Sequence, residues 1–119
     1  MKTRHNYQRL TIYSRSLDHA VKIIEICDSV RPYRLGEQIA GSCTSIPSNI
    51  AEGSQRGSDK EFVRFLSCAS GSAAELETQL QILHRAKKCK EYPIIEWIEE
   101  SVQINAMIRN FMNRLSVEP

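Results

Sequence analysis

One stretch of the sequence repeats an apolar residue at steps of four and three, from Phe62 to Leu83. Such steps keep the side chains on one helical face, and sustaining them over about six turns is typical of helices packed against antiparallel neighbours. Ser58 and Glu61 precede the repeat as in a capping box, where each side chain bonds an amide at the helix start. This pattern predicts one long helix and favours a helical bundle. The members of the repeat are Phe62, Leu66, Ala69, Ala73, Leu76, Leu80 and Leu83.

Three further segments show helical periodicity, and no useful length of sequence alternates apolar and polar residues as a half-buried strand does. The first segment is predicted to be helical over about residues 13–30, because Pro32 cannot continue a helix. Its expected core face consists of Leu17, Ala20, Val21, Ile24 and Cys27.

The second and fourth segments complete the predicted fold. A kink is expected at Pro47, which removes a helical donor, and Gly53 suits a helix end. Pro93 suits the first turn of the fourth helix, which continues to about Leu115. The expected core residues are Leu35, Ile39, Cys43, Ile46 and Ile50 in the second helix, and Ile94, Ile98, Val102, Ile108, Met112 and Leu115 in the fourth. Short connections favour an all-α, antiparallel up-down-up-down four-helix bundle, one domain over residues 1–119 with a short polar tail at about 1–10.

The composition indicates a folded, water-soluble protein, with 41% hydrophobic and 25% charged residues. The net charge of +2 comes from 16 basic and 14 acidic residues, so attraction to nucleic acid must come from local clusters. The basic start of the chain lacks the apolar stretch of a signal peptide, and no window approaches the about 20 apolar residues of a membrane span. The expected location is the cytoplasm.

The sequence contains no recognisable catalytic or metal-binding motif. The four cysteines form no C-x-x-C pair, and no histidine follows a glutamate by three positions as in carboxylate-bridged metal sites of bundles. Phosphate-binding glycine loops are also missing. We therefore expect structural thiols, no cofactor, no metal and no enzymatic activity.

Two helices carry more apolar surface than one bundle core is expected to bury. In the first helix a second stripe lies roughly opposite the core face, and in the fourth helix a second stripe widens the apolar arc to about half of the helix. These stripes are predicted to form the interface of a homo-oligomer, and they consist of Ile23, Ile26 and Val30, and of Trp97, Ile104 and Phe111. Alternatively, Trp97 and Phe111 complete the core of one subunit, and Ile23 and Ile26 are scattered surface residues.

Basic residues cluster at two places that could neutralise phosphates. A solvated surface explains such clusters equally well. The candidate nucleic-acid-binding residues are Arg56, Lys60 and Arg64 near the start of the third helix, and Arg85, Lys87, Lys88 and Lys90 in the loop after it.

The runs SIPSNIAEG (45–53), EFVRFL (61–66) and ASGSAAELETQL (69–80) resemble the 23S rRNA intervening-sequence protein family over nearly the whole chain. That family also includes the accessory variability determinants of diversity-generating retroelements. The resemblance implies a bacterial protein that forms a homopentameric ring of four-helix bundles without known enzymatic activity. The retroelement members bind a reverse transcriptase and RNA through basic surfaces.

Carried over residue by residue, the family signature comprises Ser45, Ile46, Asn49, Glu52, Gly53, Phe62, Leu66, Ala69, Gly71, Ser72, Glu75, Glu77 and Leu80. We interpret these residues as fold-determining. Gly71 is expected to let the second and third helices approach closely, while Asn49 or Glu52 could alternatively bind a partner. The sequence thus predicts an oligomeric scaffold or adaptor, with an RNA- or DNA-binding accessory protein, a potential partner of a reverse transcriptase, as the alternative. Gly41-Ser42-Cys43 and the near-neutral charge depart from the commoner family pattern.

Overall fold

The computed structural model describes residues 5–116, and every regular element among them is helical. A short 3-10 helix, Tyr7–Arg9, precedes four α-helices. They are α1, Thr11–Cys27; α2, Tyr33–Ser54; α3, Asp59–Arg85; and α4, Ile94–Ser116. Consecutive helices pack side by side, and α4 closes the bundle against α1 through a less extensive contact. The predicted four-helix bundle is therefore confirmed.

The predicted start of α3 is accurate because its capping residue is unambiguous, whereas Arg85, predicted in the following loop, is the last residue of the helix. The Ser58 hydroxyl accepts the Glu61 amide at 3.2 Å, which satisfies one amide at the helix start. No bond joins the Ser58 amide to the Glu61 carboxylate in the described residues, and that carboxylate lies 3.2 Å from the Arg64 guanidinium. Helix α2 continues through Pro47.

The N-terminal segment from residue 5 packs against the bundle. The His5 amide donates to the Ser54 carbonyl at 3.0 Å, and its ring lies 2.9 Å from the Asp59 carboxylate. The same ring packs on Phe62, a core residue of α3, with 4.9 Å between ring centroids and the planes tilted by 54°. The predicted polar tail is thus part of the domain from residue 5, and residues 1–4 lie outside the described part of the chain.

The core face of α1 was predicted incorrectly. Ile23, Ile26 and Val30, predicted to lie outside the core, are 0–1% exposed. Of the predicted core residues, only Ala20 and Cys27 are buried, whereas the other three, Leu17, Val21 and Ile24, lie 40–61% exposed. The predicted use of Ile23, Ile26 and Val30 as an interface is therefore wrong for the folded subunit.

A buried polar pair explains the reversal in α1. His19 lies on the buried stripe, and its Nε2 is 2.8 Å from the Oγ of Ser101 on α4. Ser101 also donates to the Trp97 carbonyl at 2.9 Å. Because the imidazole and the hydroxyl satisfy each other, a stripe containing a histidine can be buried. In the sequence, that histidine makes the stripe resemble a solvent-facing surface.

The second apolar stripe of α4 also belongs to the subunit core. Trp97 is 7% exposed, Ile104 is fully buried and Phe111 is half-buried. Phe111 packs edge to face on Phe62 with 5.5 Å between ring centroids. The predicted use of these α4 residues as an interface is wrong because they pack within the subunit, as the α1 residues do. Val102, a predicted core residue, is instead 46% exposed.

Candidate interaction surfaces

An apolar groove runs along the outside of the bundle between α1 and α2. Its α1 wall consists of Leu17, Val21 and Ile24, whose side chains point away from the core. Pro47 and Ala51 of α2 form the opposite wall. The groove encloses about 390 Å³ and is lined mainly by carbon. An exposed apolar surface of this kind usually marks a binding surface for another macromolecule. We refer to this surface as the apolar groove.

A second exposed apolar surface lies on α4. Ile95 and Val102 are 54% and 46% exposed, and they stand seven positions apart on one side of the helix. We call this pair the apolar ridge. The sequence pattern could not separate either surface from the core, because each helix carries two apolar stripes of similar strength.

The family signature residues of α2 and α3 hold those two helices together. Ser45 Oγ lies 2.8 Å from Ser72 Oγ, and the Asn49 amide donates to the Ser45 hydroxyl and carbonyl, both at 2.9 Å. A Cβ on Gly53 would lie 2.6 Å from the Cβ of Phe65, so only glycine permits this approach of the helices. These four signature residues therefore lie at contacts within α2 or between α2 and α3, and their fold-determining role stays a prediction.

Among the other signature residues, Gly71 does not have the role expected for it, whereas Ile46 lies in the core as predicted. A Cβ on Gly71 would meet no atom within 4 Å, so close helix packing does not explain this glycine. Glu52 is exposed and lies 3.5 Å from the Arg56 guanidinium. Glu75 is exposed and Glu77 is half-buried, whereas Ile46 belongs to the core.

The two predicted basic clusters lie at opposite ends of α3. This helix has 27 residues, which corresponds to about 40 Å of length. In the first cluster, Arg56 lies 3.5 Å from Glu52 and 3.9 Å from Glu61, and Arg64 lies 3.2 Å from Glu61. Carboxylates thus offset much of this charge, and only Lys60 has no such neighbour in the described ion pairs.

The second cluster lines an open cleft at the junction of α3 and α4. The cleft encloses about 770 Å³. Its basic side chains are His84, Arg85, Lys87, Lys88 and Lys90. The ion pairs found within residues 5–116 include none of these five side chains. This cleft therefore gathers four Arg and Lys side chains that take no part in those ion pairs, and one acidic residue, Glu96, also lines it.

The backbone at this cleft places a lysine in the left-handed region. Lys87 has a φ of 58°, its amide donates to the His84 carbonyl at 3.1 Å, and the next amide, of Lys88, donates to the Leu83 carbonyl at 2.9 Å. This is a Schellman ending of α3, in which glycine is the usual residue at the Lys87 position. Cys89 also has a positive φ, 55°.

Burial favours the neutral form of several titratable groups. Burial lowers the pKa of His19 to about 4, and its partner Ser101 is fully buried. Burial also raises the pKa of Cys43 to about 12 and raises the pKa values of Cys27 and Cys89, which makes these thiols poor nucleophiles. No group of three metal-binding side chains is present between residues 5 and 116. Over the same range, no helix is long and apolar enough to cross a membrane.

Comparison with known proteins agrees with the fold. The model of a protein family described as the 23S rRNA-intervening sequence protein matches residues 8–110. A crystal structure of a protein of unknown function from the S23 ribosomal protein family of Bacteroides thetaiotaomicron is 27% identical, with a TM-score of 0.75. The match covers 86% of this chain and 98% of that one. No curated protein matches the chain.

Proposed function

We propose, from the premise that this chain belongs to the 23S rRNA-intervening sequence protein family, that it is a non-enzymatic scaffold or adaptor acting as a homo-oligomer in the bacterial cytosol. The apolar groove is the observation that carries this proposal. Val21 at its centre is 61% exposed, and Leu17 and Ile24 beside it are about 40% exposed. Covering these three side chains removes apolar surface from water, which stabilises the assembly by about 25 cal/mol for each Å² that is buried.

The groove suits a protein surface better than a small substrate. It is open along its length, and convergent charged groups of the kind that orient a reacting molecule are missing from its lining. An assembled ring would bury the groove of every subunit and present several copies of the remaining surface to a partner. Five subunits are preferred because of the family resemblance.

Light scattering after size-exclusion chromatography tests the proposal. We expect a mass of about 68 kDa for five chains of 13.6 kDa, unchanged between about 1 and 100 µM protein. A single species of 13.6 kDa over this range would overturn the proposal.

The basic cleft supports a second proposal, an RNA- or DNA-binding accessory function. Arg85, Lys87, Lys88 and Lys90 have no carboxylate partner among the described ion pairs, whereas carboxylates offset Arg56 and Arg64. Single-stranded RNA should therefore bind at the cleft, and its affinity should fall with salt concentration. A reverse transcriptase as the recruiting partner is the more specific form of this proposal.

Fluorescence anisotropy with a labelled RNA measures this binding. Neutralising two cleft residues, Lys87→Gln with Lys88→Gln, should reduce the slope of log affinity against log salt by about 1.4 for a single strand. The matched control, Lys60→Gln with Arg64→Gln at the other end of α3, should leave the slope nearly unchanged. Equal effects of both double variants would contradict a site at the cleft.

A further inference from the structure

The contact between α1 and α4 fixes how these helices align along the bundle. His19 Nε2 lies 2.8 Å from Ser101 Oγ, so the two residues are level. In antiparallel helices, a residue five positions after His19 is level with one five positions before Ser101. Ile24 is therefore level with Glu96, the neighbour of Ile95.

The other end of the groove aligns in the same way. Leu17 comes two positions before His19, which makes it level with Gln103, the neighbour of Val102. The apolar groove and the apolar ridge thus occupy the same height along the bundle axis.

The groove and the ridge lie on different sides of the subunit. Arg15 of α1 donates to Glu100 at 3.0 Å and to Gln103 at 3.0 Å, which identifies the flank of α4 that faces α1. At 100° per residue, Ile95 and Val102 fall on the other flank, towards α3. The groove lies between α1 and α2, across the bundle from the ridge.

Resting on the self-association proposed above, we propose that the apolar ridge of one copy occupies the apolar groove of a second copy in the same orientation. Contact between two different surfaces of identical subunits is head to tail. Because groove and ridge are level, this contact adds no shift along the bundle axis from one copy to the next. A closed ring requires the absence of such a shift, together with a rotation between copies that returns to the first, whereas a shift would produce an open filament.

Charges at one end of the bundle favour the same orientation. Glu25 and Asp28 are exposed at the C-terminal end of α1, beyond the groove. Arg85, the last residue of α3, and Lys88, in the connection to α4, lie at this same end because α1 and α3 run parallel. Ile95 of the ridge also lines the basic cleft. Parallel copies therefore place Glu25 and Asp28 at the same height as Arg85 and Lys88, and reversed copies separate them; exposed Arg31 and Glu96 also lie at this end.

Two variants that each block one surface test this pairing. Val21→Glu places a charge in the groove, and Val102→Lys places a charge on the ridge. Matched controls introduce the same residues nearby, Lys22→Glu on the other flank of α1 and Asn110→Lys on the outer side of α4; all four positions are exposed. Light scattering gives the mass of each variant and of the mixture, and circular dichroism checks the fold.

We expect each blocked variant to be a monomer at 10 µM, with a dissociation constant raised about thirtyfold or more, as for the loss of an interface hot spot. Mixed together, they should form a 1:1 dimer of about 27 kDa from two 13.6 kDa chains, since one retains its ridge and the other its groove. The controls should retain the mass of the unmodified protein.

Three results would overturn the pairing while leaving self-association intact. Assembly of Val102→Lys alone would indicate groove-to-groove contact, and assembly of Val21→Glu alone would indicate ridge-to-ridge contact. Two monomeric variants that do not combine would mean that the surfaces are not partners. If either charged variant loses its helical signal, Val21→Gln and Val102→Gln replace the pair, and the same three outcomes decide. A monomeric unmodified protein would instead refute the proposed function itself.

Discussion

Acid should destabilise this bundle through His19. The imidazole is buried beside Ser101, and burial lowers its pKa to about 4 from an ordinary value near 6.5. The folded state therefore holds the neutral ring, whereas the unfolded chain gains a proton below about pH 6.5. Stability from this group is complete above pH 6.5 and is lost as the pH falls towards 4. Linkage gives a loss of about 2 to 3 kcal/mol between pH 7.5 and 4.5.

Urea unfolding followed by circular dichroism at pH 7.5, 6.5, 5.5 and 4.5 measures this loss. His19→Gln keeps a polar group at the site without a titrating ring, so its unfolding free energy should be lower at pH 7.5 and nearly flat down to pH 4.5. The matched control His84→Gln, at an exposed position of α3, should retain the full pH dependence. The pKa of Glu100 is lowered mainly by its hydrogen bond from Arg15, so the stability that this carboxylate contributes is lost at still lower pH. An equally steep fall in His19→Gln would refute the assignment to His19.

Three further outcomes follow from the backbone and the thiols. Gly53→Ala should lower the free energy of unfolding in urea by about 1 to 3 kcal/mol, because its Cβ would lie 2.6 Å from Phe65 Cβ. The control Gly41→Ala, whose Cβ would meet no atom within 4 Å, should raise the free energy of unfolding by about 1 kcal/mol. Equal effects of the two variants would contradict the close approach at Gly53. Lys87→Gly should raise the midpoint of thermal unfolding, because φ at this position is 58° and glycine adopts a positive φ without strain. A lower midpoint would contradict backbone strain at Lys87. In thiol titration of the native protein at pH 8, exposed Cys68 should react quickly and buried Cys43 only on unfolding; rapid reaction of Cys43 would contradict its burial.

The sequence was sufficient to predict the helices, because their signals are local. The repeat in α3 and the Ser58 cap depend only on neighbouring residues, and the structure confirms both. Which face of α1 is buried could not be predicted from the sequence, because it depends on a contact with a helix that is distant along the chain. His19 can be buried only because Ser101 of α4 lies 2.8 Å away, and the periodicity of α1 contains no information about that partner.

The candidate surfaces were predicted less well for a related reason. Sequence patterns identify how much apolar surface a helix has, but burial of Ile23 and exposure of Val21 are decided by the packing of the bundle. The basic clusters show a related limit: Glu52 lies only four positions before Arg56 in the sequence, but the approach of Arg56 to Glu61 depends on how α3 is placed after α2. Gly53 was expected to suit a helix end, but it lies within α2, where the structure shows a close approach to Phe65.

Small-angle X-ray scattering of the unmodified protein tests the central claim, self-association through the apolar groove, most directly. One subunit has a Cα radius of gyration of 14.9 Å and extents of 50 × 21 × 20 Å. The account predicts a clearly larger radius and a forward scattering of several subunits, both constant from about 1 to 100 µM, with Val21→Glu returning to the subunit values. A radius near 14.9 Å for the unmodified protein at every concentration would contradict the account.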